Sequence, residues 1–265
     1  MPQSAVRGAM WAGDRYVEQA GHHRQFDDWF VDRHPPRPSD HVVDAGCGSG
    51  EFTAHLARLV PDGRVVGVEP DPSMLEVART HKADNLQVRQ GRLQELDRLV
   101  AAASVDLVVS RAVFHWIPLA DYGRCYEAIL QILRPGGWFH AESAGAGNVR
   151  GVVELLDDIA SELDLGPATV TFPDAGVAFD LLEESGLEIP RSGVTTVAQR
   201  RPFNQDQLLG FVRTQASLAY VAGVTDAVRE QFLLRAEERI DELGRHDGSH
   251  DQTFVRLDVL CRRPV

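Results

Sequence analysis

From His41 onward, short apolar runs alternate with amphipathic stretches of helical period. Val42 and Val43 run into Asp44, and Val65, Val66 and Val68 run into Glu69. Leu86–Gln90, Asp106–Ser110 and Trp138–Glu142 form three further short runs. Between them, Phe52, His55, Leu56 and Leu59 recur at helical spacing, as do Met74, Leu75, Val77 and Ala78, and Asp121–Leu133 forms a third helical stretch. Short, near-continuous apolar strands separated by helices predict a parallel sheet covered on both faces. Pro61-Asp62-Gly63 and Arg134-Pro135-Gly136-Gly137 supply turns, and Asp71-Pro72-Ser73 starts a helix with proline in its first turn.

The flanks read differently. Up to Arg33, an aromatic stripe (Trp11, Tyr16, Phe26, Trp29, Phe30) lies among polar groups, which predicts a helical segment packed on the main domain. His34-Pro35-Pro36-Arg37-Pro38 must be extended, because proline excludes helix there. After Glu142 the pattern predicts helices over Val152–Leu163 and Ala175–Ser185, with Asp174 as cap and Gly186 as stop. Two late strands follow, Val194–Arg200 and Thr253–Leu260. Between them one amphipathic helix carries Leu208, Phe211, Val212 and Ala219, and a second carries Val228, Phe232, Ala236, Ile240 and Leu243. The expected organisation is an N-terminal helical segment (1–38), a main domain (39–202 and 246–265) and a helical insertion (203–245). The insertion is expected to be a lid or a subunit contact, in a monomer or homodimer.

Composition removes some functions. The net charge of -12 lacks the basic footprint of a nucleic-acid binder. The three cysteines form neither a Cys-x-x-Cys pair nor a metal-like cluster with histidine, so no metal is expected and a reducing compartment is. No long apolar run opens the chain, which predicts a cytoplasmic protein with no membrane span.

The chemistry concentrates at Asp44-Ala45-Gly46-Cys47-Gly48-Ser49-Gly50, a strand end, a glycine turn and a helix start. Glycine lets backbone turn tightly and approach a ligand, and the helix start offers unpaired N–H groups to an anionic end. Cys47 reads as a small loop residue, not a nucleophile. A nicotinamide fingerprint would be Gly-x-Gly-x-x-Gly; here the third glycine comes one residue early and Glu51 takes its place.

Four segments resemble the class I S-adenosylmethionine-dependent methyltransferases, in the family's order. They are Val42–Gly50, Val65–Leu75, Asp106–Ser110 and Leu133–Trp138. The resemblance implies an α/β fold, a doubly wound, mostly parallel seven-stranded Rossmann-like sheet with an antiparallel last strand. It implies S-adenosyl-L-methionine as cofactor and S-adenosyl-L-homocysteine as product. By the same resemblance, Gly46, Cys47, Gly48 and Gly50 would hold the amino-acid end of the cofactor, with Asp44 fixing the loop or the ammonium. Glu69 would accept from the ribose hydroxyls, and Pro70 and Met74 would flank the adenine with Leu93 near it. Arg92 stands where many relatives place an acid. Ser110 and Arg111 would line the methionine side, and Arg15 and Tyr16 would fold over it.

The run Ser110-Arg111-Ala112-Val113-Phe114-His115-Trp116 is similar to the small-molecule branch that includes the trans-aconitate and malonyl-carrier-protein methyltransferases. His115 is the candidate base, because imidazole titrates near neutrality. Trp116, His140 and Glu142 are candidate acceptor-site residues. The expected reaction is in-line methyl transfer to a small molecule, at a carboxylate or hydroxyl oxygen. The alternative expectation is a non-catalytic protein that kept the cofactor pocket.

Overall fold

The computed structural model describes residues 27–247 and 250–265, and the backbone alone for 243–247. Seven strands form one sheet: β1 (His41–Ala45), β2 (Arg64–Glu69), β3 (Leu86–Gln90), β4 (Val105–Arg111), β5 (Leu133–Ala144), β6 (Val194–Arg201) and β7 (Gln252–Arg262). Their order is β3-β2-β1-β4-β5-β7-β6. β1 pairs parallel to β2 and β4, β2 to β3 and β4 to β5, whereas β7 runs antiparallel to β5. The strand order reverses between β2-β1 and β4, so the carboxyl ends of β1, β2 and β4 border one crevice.

The chain divides into two compact units. One holds the described residues up to Ala146, with Thr171–Val197 and Arg256–Val265; the other holds Gly147–Val170 and Ala198–Val255. In the first, one sheet face packs Val43, Val66, Val68, Val108 and Phe139 against Tyr122, Tyr126 and Ile129 of the Tyr122–Ile132 helix. The other face packs Val42, Val65, Leu107 and Val109 against Leu56 of the Glu51–Leu59 helix and Phe30 of the Asp27–Arg33 helix. Every residue of β1 is buried, which is why its apolar run is continuous instead of alternating.

β5 is longer than its apolar run, because it starts at Leu133 and takes the Arg134–Gly137 turn into the strand, with a register shift against β4 between Val105 and Leu107. In the second unit the helix Arg150–Glu162 and the long helix Asp226–Asp247 pack together. The predicted helix through Leu208 and Ala219 is broken into Gln205–Phe211, a π-helical turn Val212–Ala216 and Leu218–Val221. Thr214 Oγ1 donates to the Gly210 carbonyl at 2.7 Å and Ser217 Oγ to the Arg213 carbonyl at 3.4 Å, and such back-bonding to the preceding turn loosens a regular helix. The apolar face survives, with Leu208, Val212 and Ala219 all buried. No described helix is long and apolar enough to cross a membrane.

Candidate active site

The glycine loop is built around three left-handed residues, Gly46, Gly48 and Gly50. Gly46 and Cys47 both donate to the Val68 carbonyl, at 2.8 and 3.0 Å, tying the loop to β2. A Cβ on Gly46 would collide with Val113 Cγ2, and one on Gly50 would lie 2.9 Å from the Ala78 backbone. A Cβ on Gly48 would meet only Met74 Cε, at 3.8 Å, so Gly48 borders space. Cys47 packs its sulfur against Gly67, and burial pushes its thiol well above the ordinary range, which leaves no thiolate to react. The Glu51–Leu59 helix follows with no side-chain cap, so its first N–H groups face the loop.

Two carboxylates flank this loop. Asp44 is buried, accepts from Thr53 Oγ1 at 2.7 Å, and is pushed up to about 6 by burial. Glu69 accepts from the Gly48 N–H at 3.0 Å through Oε2 and from the Asp71 N–H at 2.9 Å through Oε1; burial pushes it up to about 7. Each oxygen has a second lone-pair direction, so the carboxylate can still accept two hydroxyls. Asp71 then caps the Pro72–Ala78 helix by accepting from Ser73 and Met74, which places buried Met74 beside Gly48 and exposed Pro70 at the rim. Leu93 is buried in the main core, and exposed Arg92 bonds through its backbone N–H to Glu95 at 3.2 Å.

At the end of β4, Ser110 Oγ donates to the Ala45 carbonyl at 2.8 Å, which locks β4 to β1. Arg111 is ion-paired with Asp27, and its guanidinium stacks over the Phe52 ring at 4.6 Å and the Phe30 ring at 5.3 Å. Ala112 takes a left-handed turn and its N–H donates to the Glu142 carbonyl at 2.7 Å. That turn drives Val113 against Gly46 and starts the short Phe114–Trp116 helical turn.

His115 therefore sits two residues beyond the wedge at the glycine loop. Its Nδ1 accepts from the Ala144 N–H at 3.4 Å, which assigns the proton of the neutral ring to Nε2. Burial, with the nearby Arg256 cation second, pushes its pKa down to about 3. The Trp116 ring lies 5.3 Å and the Phe172 ring 6.2 Å from the imidazole. Glu142 is buried in an ion pair with Arg256.

The structure thus gathers Asp44, Gly46, Cys47, Gly48, Gly50, Glu69, Pro70 and Met74 around one loop, and His115, Trp116 and Glu142 at the adjoining strand ends. His140 is not among them: it is 1% exposed, stacks on Phe30 at 3.8 Å, and bonds Asp258 at 3.0 Å through Nε2. Arg15 and Tyr16, and the aromatic stripe as far as Phe26, lie outside the described residues. Three residues that the pattern did not single out take structural parts here: Thr53 holds Asp44, Val113 backs Gly46, and Arg256 pairs with Glu142. Arg256 and Asp258 alternate with apolar neighbours in β7, a pattern that ordinarily marks a solvated face. Both are buried.

Residues 42–137 match the family model described as a methyltransferase domain. They include the glycine loop, Glu69 and His115. These residues form a methyltransferase domain. S-adenosylmethionine is its cofactor and S-adenosylhomocysteine its product. The glycine loop fits that molecule: Gly48 leaves room where a Cβ would intrude, and Glu69 keeps acceptor capacity for two hydroxyls.

The chain is 41% identical over 103 residues to a trans-aconitate 2-methyltransferase of Deinococcus radiodurans, a match spanning 39% of this chain and 37% of that one. A trans-aconitate 2-methyltransferase of Escherichia coli is 25% identical over 228 residues, 84% of this chain and 86% of that one. Among solved structures, Haemonchus contortus phosphoethanolamine N-methyltransferase 2 in complex with S-adenosyl-L-methionine aligns at a TM-score of 0.60 with 15% identity, over 96% of this chain and 57% of that one. Geranyl diphosphate C-methyltransferase of Streptomyces coelicolor aligns at 0.55 with 15% identity, over 98% of this chain and 86% of that one. These two likenesses concern the fold.

Proposed function

We propose that this methyltransferase esterifies a carboxylate oxygen of a small-molecule acid. The observation that carries the reading is the state of His115. An imidazole whose pKa is pushed down to about 3 is a poor base toward a hydroxyl, and its Nδ1 is already occupied by the Ala144 N–H. Carboxylates of small acids are ionised at pH 7 and need no base. When bound, S-adenosylmethionine would supply an electrophilic methyl group, which a carboxylate oxygen can accept on a lone pair it already carries, so no residue of the chain has to remove a proton.

The chain's own groups align and shield. Gly46, Gly48, Gly50 and the open helix start receive the amino-acid end of the cofactor, with Asp44 behind them; Glu69 takes the ribose hydroxyls, and Pro70 and Met74 border the adenine. Ser110 keeps the β1 and β4 ends in register, and Arg111 braces the Asp27–Arg33 helix against the loop. His115 presents its Nε2–H as a donor to the acceptor, and Trp116 walls the site against water. The names of the Deinococcus and Escherichia relatives support the same class of acceptor, and trans-aconitate is the first acid to try.

The test is transfer of radiolabelled methyl from S-adenosylmethionine to trans-aconitate, to simple carboxylic acids and to phenols. The expected product is an alkali-labile methyl ester from acids alone, and His115→Asn, which keeps a side-chain donor and removes the imidazole, should leave the shape of the kcat–pH profile unchanged. Methylation of phenols or amines in preference to acids, or loss of an ionisation from that profile in His115→Asn, overturns the reading.

A further inference from the structure

The geometry points to Arg256 as an anion anchor that holds a second carboxylate of the acceptor, which makes the preferred substrate a di- or tricarboxylate. This rests on the carboxylate reading above and deepens it. Arg256 is only 7% exposed, on β7 directly opposite Ala144 at the end of β5. Its Nε is committed to Glu142. Among the described residues, its two Nη groups meet no hydrogen-bond acceptor. A guanidinium presents five donors in a rigid fork, so one ion pair through Nε leaves the outer edge of the fork able to take a carboxylate bidentately.

The placement suits that task. Arg256 lies close enough to His115 for its charge to bear on the imidazole, and Ala144 links the two, pairing with Arg256 across the strands and donating to His115. A cation held in a weakly solvated place is costly unless a negative group completes it, and Glu142 supplies only one edge. The other cation of this row, Arg111, is committed to Asp27 and to two aromatic rings. In a chain of net charge -12, a polyanionic acceptor needs a fixed local cation to be held at all. Arg256 would grip the non-reacting carboxylate, leaving the reacting one its full nucleophilicity.

The probes are propane-1,2,3-tricarboxylate and butyrate, titrated by calorimetry into protein saturated with S-adenosylhomocysteine. Wild type is expected to bind the tricarboxylate and discriminate strongly against butyrate. Arg256→Gln should weaken the tricarboxylate about ten- to a hundredfold, the loss of a charge-assisted pair, and leave S-adenosylhomocysteine binding unchanged. Because that variant strands Glu142, the double variant Glu142→Gln/Arg256→Gln is measured beside it and should show the same loss. Glu142→Gln alone should bind the tricarboxylate as tightly as wild type or tighter, since it frees the whole fork.

An ion pair that is merely structural predicts instead equal weakening in both single variants, and that result overturns the anchor. Unchanged tricarboxylate affinity in Arg256→Gln and in the double variant overturns it while leaving the carboxylate reading intact. A wild type that binds S-adenosylhomocysteine but neither acid overturns both.

Discussion

Glu69 and Asp44 are acids held above their ordinary range by burial, at about 7 and about 6. The folded chain therefore keeps protons that the unfolded chain has released. Their contribution to stability is complete below the ordinary values of 4.5 and 3.8 and is lost as pH rises through about 6 to 7. His115 works in the opposite direction. Its ordinary value of 6.5 falls to about 3, so the unfolded chain takes up a proton that the fold refuses, and stability is lost as pH drops through that window. Urea midpoints measured against pH should show both slopes. Glu69→Gln should flatten the fall toward neutral pH, and His115→Asn the fall on the acid side. Glu69→Gln should also weaken S-adenosylhomocysteine by about tenfold or more, because an amide cannot accept at both positions. A variant with unchanged affinity would remove Glu69 from the ribose site. At this scale the kinds of residue were readable in the chain, but their ionisation was not. His115 reads as a base from its ordinary titration range, and only its burial and its bond from Ala144 make it a donor.

The elements were the most legible level. Apolar runs ending in Asp44 and Glu69, and the late strands near Val194 and Thr253, appear in the structure as β1, β2, β6 and β7. Periodicity fails at Thr214 and Ser217, because side-chain hydroxyls bonding to backbone carbonyls leave no trace in the apolar pattern. The glycine loop shows what spacing conceals. Its three glycines look equivalent in the chain, yet their surroundings differ. Gly48→Ala should cost only the left-handed backbone penalty, about 1 kcal/mol, and keep the fold while reducing cofactor affinity. Gly46→Ala adds a collision with Val113 and should cost more than about 2 kcal/mol. Thermal melts of the two variants, with and without S-adenosylhomocysteine, separate the effects. Equal destabilisation would refute the wedge assigned to Val113.

For the whole molecule, the notable feature is a charged ladder inside the sheet-bearing unit. Asp258, 1% exposed, meets both Arg33 and His140, and Arg33 Nη2 also donates to the Ser192 carbonyl at 2.6 Å. The Asp27–Arg33 helix is thus clamped at one end by Arg111 and at the other by Asp258. Deleting one partner of a buried pair strands the rest, so Asp258→Ala should lose about 3–5 kcal/mol in urea unfolding. Glu238→Ala, which removes the exposed pair with Arg235, should change stability by less than about 1 kcal/mol. A small effect at Asp258 would show that the clamp adds little to the fold.

The sequence by itself determined the alternation of strands and helices, the glycine loop with one acid before it and one at the end of the next strand, and hence the methyltransferase domain and its cofactor. These depend on local rules: side-chain period, proline and glycine stereochemistry, and a short fixed spacing. Only the tertiary structure decided where the polar groups at the strand ends find their partners. His140 and Glu142 share one strand face, two residues apart. One is taken by Phe30 and Asp258, and the other meets Arg256, more than a hundred residues away in sequence. Contacts that close across the sheet depend on register and burial, and residue spacing along the chain carries neither.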